Sequence, residues 1–203
     1  RPKSVQSDVF VAMVAPDRKS DHWASVRVTN QVLGGGVASR LFSDVREQRS
    51  LAYRTTSSIY ELAHGDQPLV LYAGTESSKT AQAVTGLLEN LDRMKSSPPT
   101  QQEVETARRY LSDIFAIRME AIGSIAEMVV TQETFGLADD YWDTYRKQVR
   151  ATETKDTAEM AQKLYAGKTL IAVAGDADVI GPELARFGEV TVVDPEHEFK
   201  TMK

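Results

Sequence analysis

The chain has 203 residues, of which 41% are hydrophobic and 26% charged, as in ordinary globular proteins. It has no cysteine, which excludes disulfides, thiolate nucleophiles and cysteine-based metal sites. The formal net charge of −5 disfavours binding to nucleic-acid phosphates, and no apolar stretch approaches the roughly 20 residues that span a bilayer. We therefore expect no nucleic-acid partner and no membrane span. Because the chain begins with Arg1 rather than Met, we also expect it to be part of a longer or processed product.

Hydrophobic spacing predicts short strands in the first third of the chain, a cluster of helices, and a last strand–helix–strand unit. In chain order, the predicted elements are a strand over 8–15, helices over 23–33 and 37–46, strands over 51–60 and 69–74, helices over 78–94, 100–115, 122–135, 141–145 and 154–164, a strand over 169–174, a helix over 179–184 and a strand over 189–193.

Local signals support several of these elements. Residues 8–15 are almost continuously apolar, which predicts a strand buried on both faces. The glycines at 34–36 end the first helix, and Thr100 and Glu103 have the spacing of a capping box directly after two prolines. Strands 51–60 and 69–74 are close enough to form an antiparallel pair. Regular βαβ alternation is absent, so we predict an α+β fold, a largely antiparallel sheet with helices packed on one face.

Common catalytic and metal-binding motifs are missing from the sequence. His22, His64 and His197 lie far apart, and none belongs to an H-x-x-E-H or H-E-x-x-H motif. The chain has no G-x-S-x-G nucleophile motif, and the three glycines lack the phosphate-binding P-loop pattern. A site assembled in space from the three histidines stays open, but we expect no metal in this chain.

One segment differs in charge from the rest of the acidic chain. Between residues 40 and 54 the local charge is +2, from Arg40, Arg46, Arg49 and Arg54 against Asp44 and Glu47. A short turn could bring Arg46 and Tyr53 together, and their donors suit a peptide carbonyl or a developing oxyanion. Alternatively, the arginines simply favour a helix C-terminus and Tyr53 belongs to the core. The residues alone leave both interpretations open.

The same segment resembles a known family. Residues 33–42, LGGGVASRLF, and 45–53, VREQRSLAY, resemble the signature of the second, non-zinc domain of insulinase/pitrilysin-type zinc peptidases. Weaker similarities follow in the family's order over residues 100–111, 135–145 and 172–176. The resemblance covers almost the whole chain, so residues 1–203 are expected to form one C-terminal-type domain of this family, excised from a longer chain or paired with a zinc-binding subunit.

The resemblance implies that two halves of a peptidase supply different parts of the active site. The zinc ligands belong to an N-terminal-type domain or subunit, so no cofactor is expected in this chain. Arg46 and Tyr53 occupy the positions whose side chains hold the substrate carbonyl near that zinc, while Ser50 stands where many relatives have glycine. The implied function is the non-zinc half of a metalloendopeptidase that degrades or processes peptides in a closed chamber, and this chain alone is expected to be inactive.

Two other functions stay open at this point. Some members of the family serve as catalytically inactive scaffold or assembly subunits, and the arginine cluster could also belong to a stand-alone peptide-binding module. Relatives occur in the bacterial periplasm and in the cytoplasm. The sequence leaves the compartment undecided, with the periplasm favoured.

Overall fold

The computed structural model describes residues 3–194, 197 and 199–201. Its main sheet has four strands in the order β2-β3-β1-β4, and all neighbouring strands are antiparallel. They are β1 (Gln6–Ala15), β2 (Arg54–Ile59), β3 (Gln67–Glu76) and β4 (Leu170–Ala174). A separate two-stranded pair consists of β5 (Val193–Asp194) and β6 (Lys200–Thr201). The predicted strand over 189–193 is therefore wrong for all but its last residue, because residues 189–192 do not join a sheet.

Helices make up most of the remaining chain. The α-helices are α1 (Trp23–Gly34), α2 (Thr80–Ser96), α3 (Gln101–Met119), α4 (Ile122–Phe135), α5 (Tyr141–Ala151), α6 (Thr154–Leu164) and α7 (Ala177–Leu184). Short 3-10 turns cover Ser77–Lys79 and Ala185–Phe187, and Phe42–Gln48 forms a π-helical turn. The sheet and helices confirm the predicted α+β fold.

The sheet is buried on one face only. On β1, Val9, Val11 and Met13 point into the core and are at most 5% exposed, and Leu69 and Leu71 of β3 lie beside them with no exposed surface. The alternate residues of β1 are half-buried or exposed, and Val14 is 64% exposed. The predicted burial of both faces of 8–15 is wrong. Helices α1 and α2 cover one face of the sheet, and the other face stays accessible.

The first glycine of the GGG run allows α1 to approach the edge of the sheet. A Cβ at Gly34 would lie 2.4 Å from the main-chain nitrogen of Ser57 in edge strand β2. One turn earlier, Asn30 donates from Nδ2 to the Ser57 carbonyl oxygen at 3.0 Å and accepts a hydrogen bond from the Ser57 hydroxyl. The end of α1 thus packs closely against edge strand β2 at Ser57.

Candidate functional site

Arg46 lies on the π-helical turn Phe42–Gln48. Main-chain hydrogen bonds that span five and six residues close the turn. They run from the Arg49 nitrogen to the Asp44 oxygen at 3.0 Å and from the Leu51 nitrogen to the Val45 oxygen at 2.9 Å. Val45 is fully buried, whereas Arg46, the next residue, is exposed. Such wide turns are frequent at functional sites, and here the turn places a buried anchor beside an exposed arginine.

Asp44 fixes this turn to α2. Its carboxylate is only 8% exposed and accepts hydrogen bonds from Arg49 Nε at 3.1 Å and Asn90 Nδ2 at 2.6 Å. Arg93 lies 3.6 Å away as a second cationic partner. Arg49 also forms an ion pair with Glu89 at 2.6 Å, and the bond to Glu89 raises the pKa of Arg49 even though burial lowers it. Arg49 is therefore a structural residue of the turn.

Arg40 ties the start of the same segment to the junction of α2 and α3. Its guanidinium makes two hydrogen bonds to the Glu103 carboxylate, from Nε at 2.6 Å and from Nη2 at 2.9 Å. It also donates to three main-chain carbonyl oxygens at the end of α2, those of Arg93, Ser97 and Pro98. Because its guanidinium is bonded to all of these acceptors, Arg40 has a structural role.

The other two arginines, Arg46 and Arg54, are exposed beside the turn and lie over aromatic rings. Arg46 lies over the ring of Phe42, with Cζ 4.7 Å from the ring centroid, and Arg54 lies over the ring of Tyr72 at 5.8 Å. Within residues 3–194 neither forms an ion pair. The positive charge noted in the sequence therefore divides into two structural arginines and two that can meet a ligand.

Tyr53 lies at the entrance to β2 and is not a core residue. Its side chain is 57% exposed, and its main-chain nitrogen donates to the Gly74 oxygen of β3 at 3.0 Å. The segment before it is held in place because the Thr75 hydroxyl donates to the Leu51 oxygen at 2.5 Å. The predicted strand over 51–60 is wrong at its start, since β2 begins at Arg54 and the chain before it follows a different path. The alternative that Tyr53 belongs to the core is wrong as well.

A second tyrosine lies beside Tyr53 on the accessible face of the sheet. Tyr72 donates from its hydroxyl to Asp8 Oδ1 at 2.8 Å, and its ring packs on Phe10 with centroids 5.3 Å apart. Burial raises the pKa of Tyr72, and the hydrogen bond that it donates to Asp8 raises the pKa further. Sequence reasoning missed this group. The signals present were a lone aspartate in an otherwise apolar strand and the same-face spacing of Tyr72 and Gly74.

The structure presents Arg46 and Tyr53 on one continuous segment but does not join them directly. No hydrogen bond or ring contact links the two side chains in the described part of the chain. Ser50, between them, adopts a φ of +50°, and Leu51 and Ala52 are buried. Both side chains are thus exposed, one on either side of an anchored turn.

The histidines do not form a zinc site. His22 precedes α1, His64 lies in the loop between β2 and β3, and His197 pairs with Asp194 at 2.6 Å. Among the residues that the structure describes, no three His, Asp or Glu side chains cluster so as to hold a metal ion. The donors among the described residues therefore form no site for zinc, which the family resemblance assigns to another domain or subunit. In the same residues, no helix is both long and apolar enough to cross a membrane.

Comparisons with known proteins agree with the fold and with the resemblance. A family model for the peptidase M16 inactive domain matches residues 1–111. A Streptomyces coelicolor protein named as an uncharacterized zinc protease is 25% identical over 176 residues, which cover 85% of this chain and 38% of that protein. A Helicobacter pylori protein named as a non-peptidase homolog is 29% identical over 153 residues, covering 72% of this chain and 34% of that protein.

A solved structure extends the agreement to three dimensions. The crystal structure of a peptidase M16 inactive domain from Pseudomonas fluorescens superposes with a TM-score of 0.76 at 26% identity, over 86% of this chain and 42% of that one. The chain spans well under half the length of the curated relatives it matches. With the matched family model covering more than half of its residues, the chain belongs to the peptidase M16 inactive-domain family.

Proposed function

We propose that this domain is the non-zinc half of a zinc metalloendopeptidase that degrades or processes peptides in a closed chamber. In this proposal the zinc is bound by a second domain or subunit of the same family. Arg46 and Tyr53 reach into the shared active site and hold the carbonyl group of the peptide substrate.

The observation that carries the proposal is the exposure of Arg46 and Tyr53 on opposite sides of an anchored turn. Tyr53 is not a core residue, because 57% of its surface is exposed. The other cations near the turn are engaged: Arg40 with Glu103, and Arg49 with Asp44 and Glu89. A turn held this firmly supports precise placement of the side chains it carries, which catalytic groups require.

Arg46 and Tyr53 have the right chemistry for this role. A guanidinium and a phenol both donate hydrogen bonds, and neither needs to lose a proton to do so. As a peptide carbonyl becomes tetrahedral, negative charge develops on its oxygen, and preorganised donors stabilise that charge more strongly than the neutral ground state. The two side chains of this domain would therefore contribute mainly to kcat.

Reconstitution with a zinc-bearing partner tests the proposal. This chain alone is expected neither to bind zinc nor to cleave a fluorogenic peptide, whereas the assembly with its zinc-binding half is expected to cleave it. Arg46→Ala or Tyr53→Phe in the assembly should lower the rate while the zinc content stays the same. Zinc-dependent turnover by the chain alone, or full activity of both variants in the assembly, would contradict the proposal.

The second candidate is a catalytically inactive assembly subunit. It is favoured by one observation, the non-peptidase homolog of Helicobacter pylori. The presence of Arg46 and Tyr53 at the family spacing supports the peptidase instead. The reconstitution separates the two, because an assembly subunit would bind its partner without supporting peptide cleavage.

A further inference from the structure

Gly74 of β3 lies directly beneath the hydroxyl group of Tyr53. A Cβ at this position would lie 2.7 Å from Cζ and 2.8 Å from Oη of Tyr53, and 2.7 Å from Oη of Tyr72. Ordinary van der Waals contact begins at about 3.4 Å, so the space above Gly74 is filled by the two phenol groups. The register explains this: Gly74 lies opposite Asp8 on one side and Arg54 on the other, and Tyr53 directly precedes Arg54.

Tyr72 provides the side wall of this space, and Asp8 fixes Tyr72. The Tyr72 hydroxyl donates its proton to Asp8 Oδ1 at 2.8 Å, which fixes the Tyr72 oxygen beside the Tyr53 hydroxyl. Its ring is in turn held against Phe10 at 5.3 Å. The three residues Asp8, Tyr72 and Gly74 therefore form a seat for the Tyr53 hydroxyl, built on two adjacent strands of the sheet.

We infer that the seat of Asp8, Tyr72 and Gly74 sets the position of the Tyr53 hydroxyl for its contact with the substrate carbonyl. These three are positioning residues, and they act through Tyr53. The inference rests on the proposed function, because it assigns a purpose to the placement of a residue that the proposal puts at the active site. It extends the site from the turn onto β1 and β3.

Gly74→Ala is the sharpest perturbation of the seat. The atoms that the new methyl group meets first are the ends of two side chains rather than main chain, so the strand can keep its pairing while the hydroxyls move. The Tyr53 oxygen must retreat by about 0.6 Å to regain ordinary contact, and misplacements of about 1 Å can cost about 100-fold in rate. We expect kcat of the zinc-loaded assembly to fall by roughly 10- to 100-fold with little change in KM.

Gly167 supplies the matched control. Like Gly74, it has a φ outside the left-handed region, and a Cβ there would meet no atom within 4 Å. Gly167→Ala should keep the wild-type kcat. If Gly74→Ala leaves kcat unchanged while Tyr53→Phe lowers it, the seat does not position Tyr53 and the inference fails.

Tyr72→Phe removes the oxygen beside the Tyr53 hydroxyl while retaining the ring that packs on Phe10. We expect a loss of about 2- to 10-fold in kcat, smaller than in Gly74→Ala, because no added atom pushes the Tyr53 hydroxyl out of place. Because the seat acts through the Tyr53 hydroxyl, Tyr72→Phe and Gly74→Ala should cause little further loss in a Tyr53→Phe background. Equal losses in both backgrounds would assign these residues a purely structural role and overturn the inference.

A spectroscopic measurement separates this inference from the proposed function. In the same assembly, the ¹³Cζ resonance of Tyr53 should shift in Gly74→Ala and in Tyr72→Phe and stay in place in Gly167→Ala. If Tyr53→Phe retains wild-type activity, the proposed role of Tyr53 fails, and the resonance still decides whether the seat exists. An unchanged Tyr53 resonance in both seat variants contradicts the seat, whatever the rates are.

Discussion

Replacing Glu103 with glutamine removes the charge that Arg40 neutralises at the junction of α2 and α3. Burial of the Glu103 side chain by itself raises its pKa. The hydrogen bonds from Arg40 and from the Thr100 cap, together with the charge of Arg40, outweigh this and lower the pKa from an ordinary 4.5 to about 2. A carboxyl group whose pKa is lower in the folded than in the unfolded chain stabilises the fold at neutral pH.

The magnitude follows from this lowering of the pKa. A fall of about 2.5 pH units corresponds to about 3 kcal/mol, because each unit is worth 1.36 kcal/mol. Since the Glu103 side chain retains 27% exposure, solvent screening makes this an upper estimate. The contribution is fully present above pH 4.5, where the unfolded chain is also ionised, and is lost as the pH falls from there through 2.

Urea unfolding, followed by the fluorescence of the two tryptophans, Trp23 and Trp142, measures the effect from pH 7 to pH 2. Wild type should exceed Glu103→Gln by up to about 3 kcal/mol at pH 7, and the difference should shrink steadily below pH 4.5. Glu105→Gln is the control, because the Glu105–Arg109 pair is exposed and contributes at most about 1 kcal/mol. A difference between wild type and Glu103→Gln that does not vary with pH would refute this reasoning.

Three further predictions concern the segment that carries the candidate site, each read from urea unfolding. Ser50→Gly should stabilise the chain by about 1 kcal/mol, since a φ of +50° is strained for serine; an unchanged stability would contradict this. Gly34→Ala should lower the free energy of unfolding by about 1–3 kcal/mol, because its methyl group meets the main chain of Ser57. Gly36→Ala should leave it unchanged, because the nearest atom to its methyl group is 3.8 Å away. Equal effects of the two variants would contradict the close packing at Gly34. Asp44→Ala should lower the free energy of unfolding by about 1–3 kcal/mol and should also lower the activity of the assembly. If both stay at the wild-type value, Asp44 does not anchor the turn.

Local sequence signals predicted the end of a helix correctly where the residue that terminates or caps the helix lies next to it in the chain. The bounds predicted for α4 agree with the structure because Gly136, in the left-handed region at φ +56°, ends the helix. The capping box of Thr100 and Glu103 likewise starts α3 where expected. Ser78 shows the limit of such signals. It is a good capping residue by type, yet it lies in the 3-10 turn Ser77–Lys79, and α2 begins only at Thr80.

The start of β2 and the path of the preceding turn could not be read from local spacing. Residues 51–60 alternate like a strand throughout, but the first three depend on contacts made elsewhere: Leu51 bonds to Val45 and to Thr75, and Tyr53 bonds to Gly74. Those contacts turn Tyr53 away from the core. Periodicity cannot detect them, because they depend on how separate elements dock.

Arg46 and Tyr53 were identified from the family resemblance, and their roles stay a prediction. Composition did indicate the segment, since it is locally basic in an acidic chain. It could not separate the structural Arg40 and Arg49 from the exposed Arg46, because their partners Glu103 and Glu89 lie 63 and 40 residues further along the chain. The seat formed by Asp8, Tyr72 and Gly74 depends on strand register and was missed for the same reason.

Arg46 and Tyr53 are proposed to act on substrate at a zinc site that another domain or subunit provides. The most direct test is kcat/KM for a fluorogenic peptide, with the zinc content of the same samples, for the assembled enzyme carrying Arg46→Ala or Tyr53→Phe. Each should lower kcat/KM by about 10²- to 10³-fold, the loss typical of one oxyanion donor, with the zinc content unchanged. Arg150→Ala and Tyr60→Phe, at exposed residues of the same types, should match wild type. Wild-type kcat/KM in both site variants, or a loss of activity that only tracks a loss of zinc, would contradict the account.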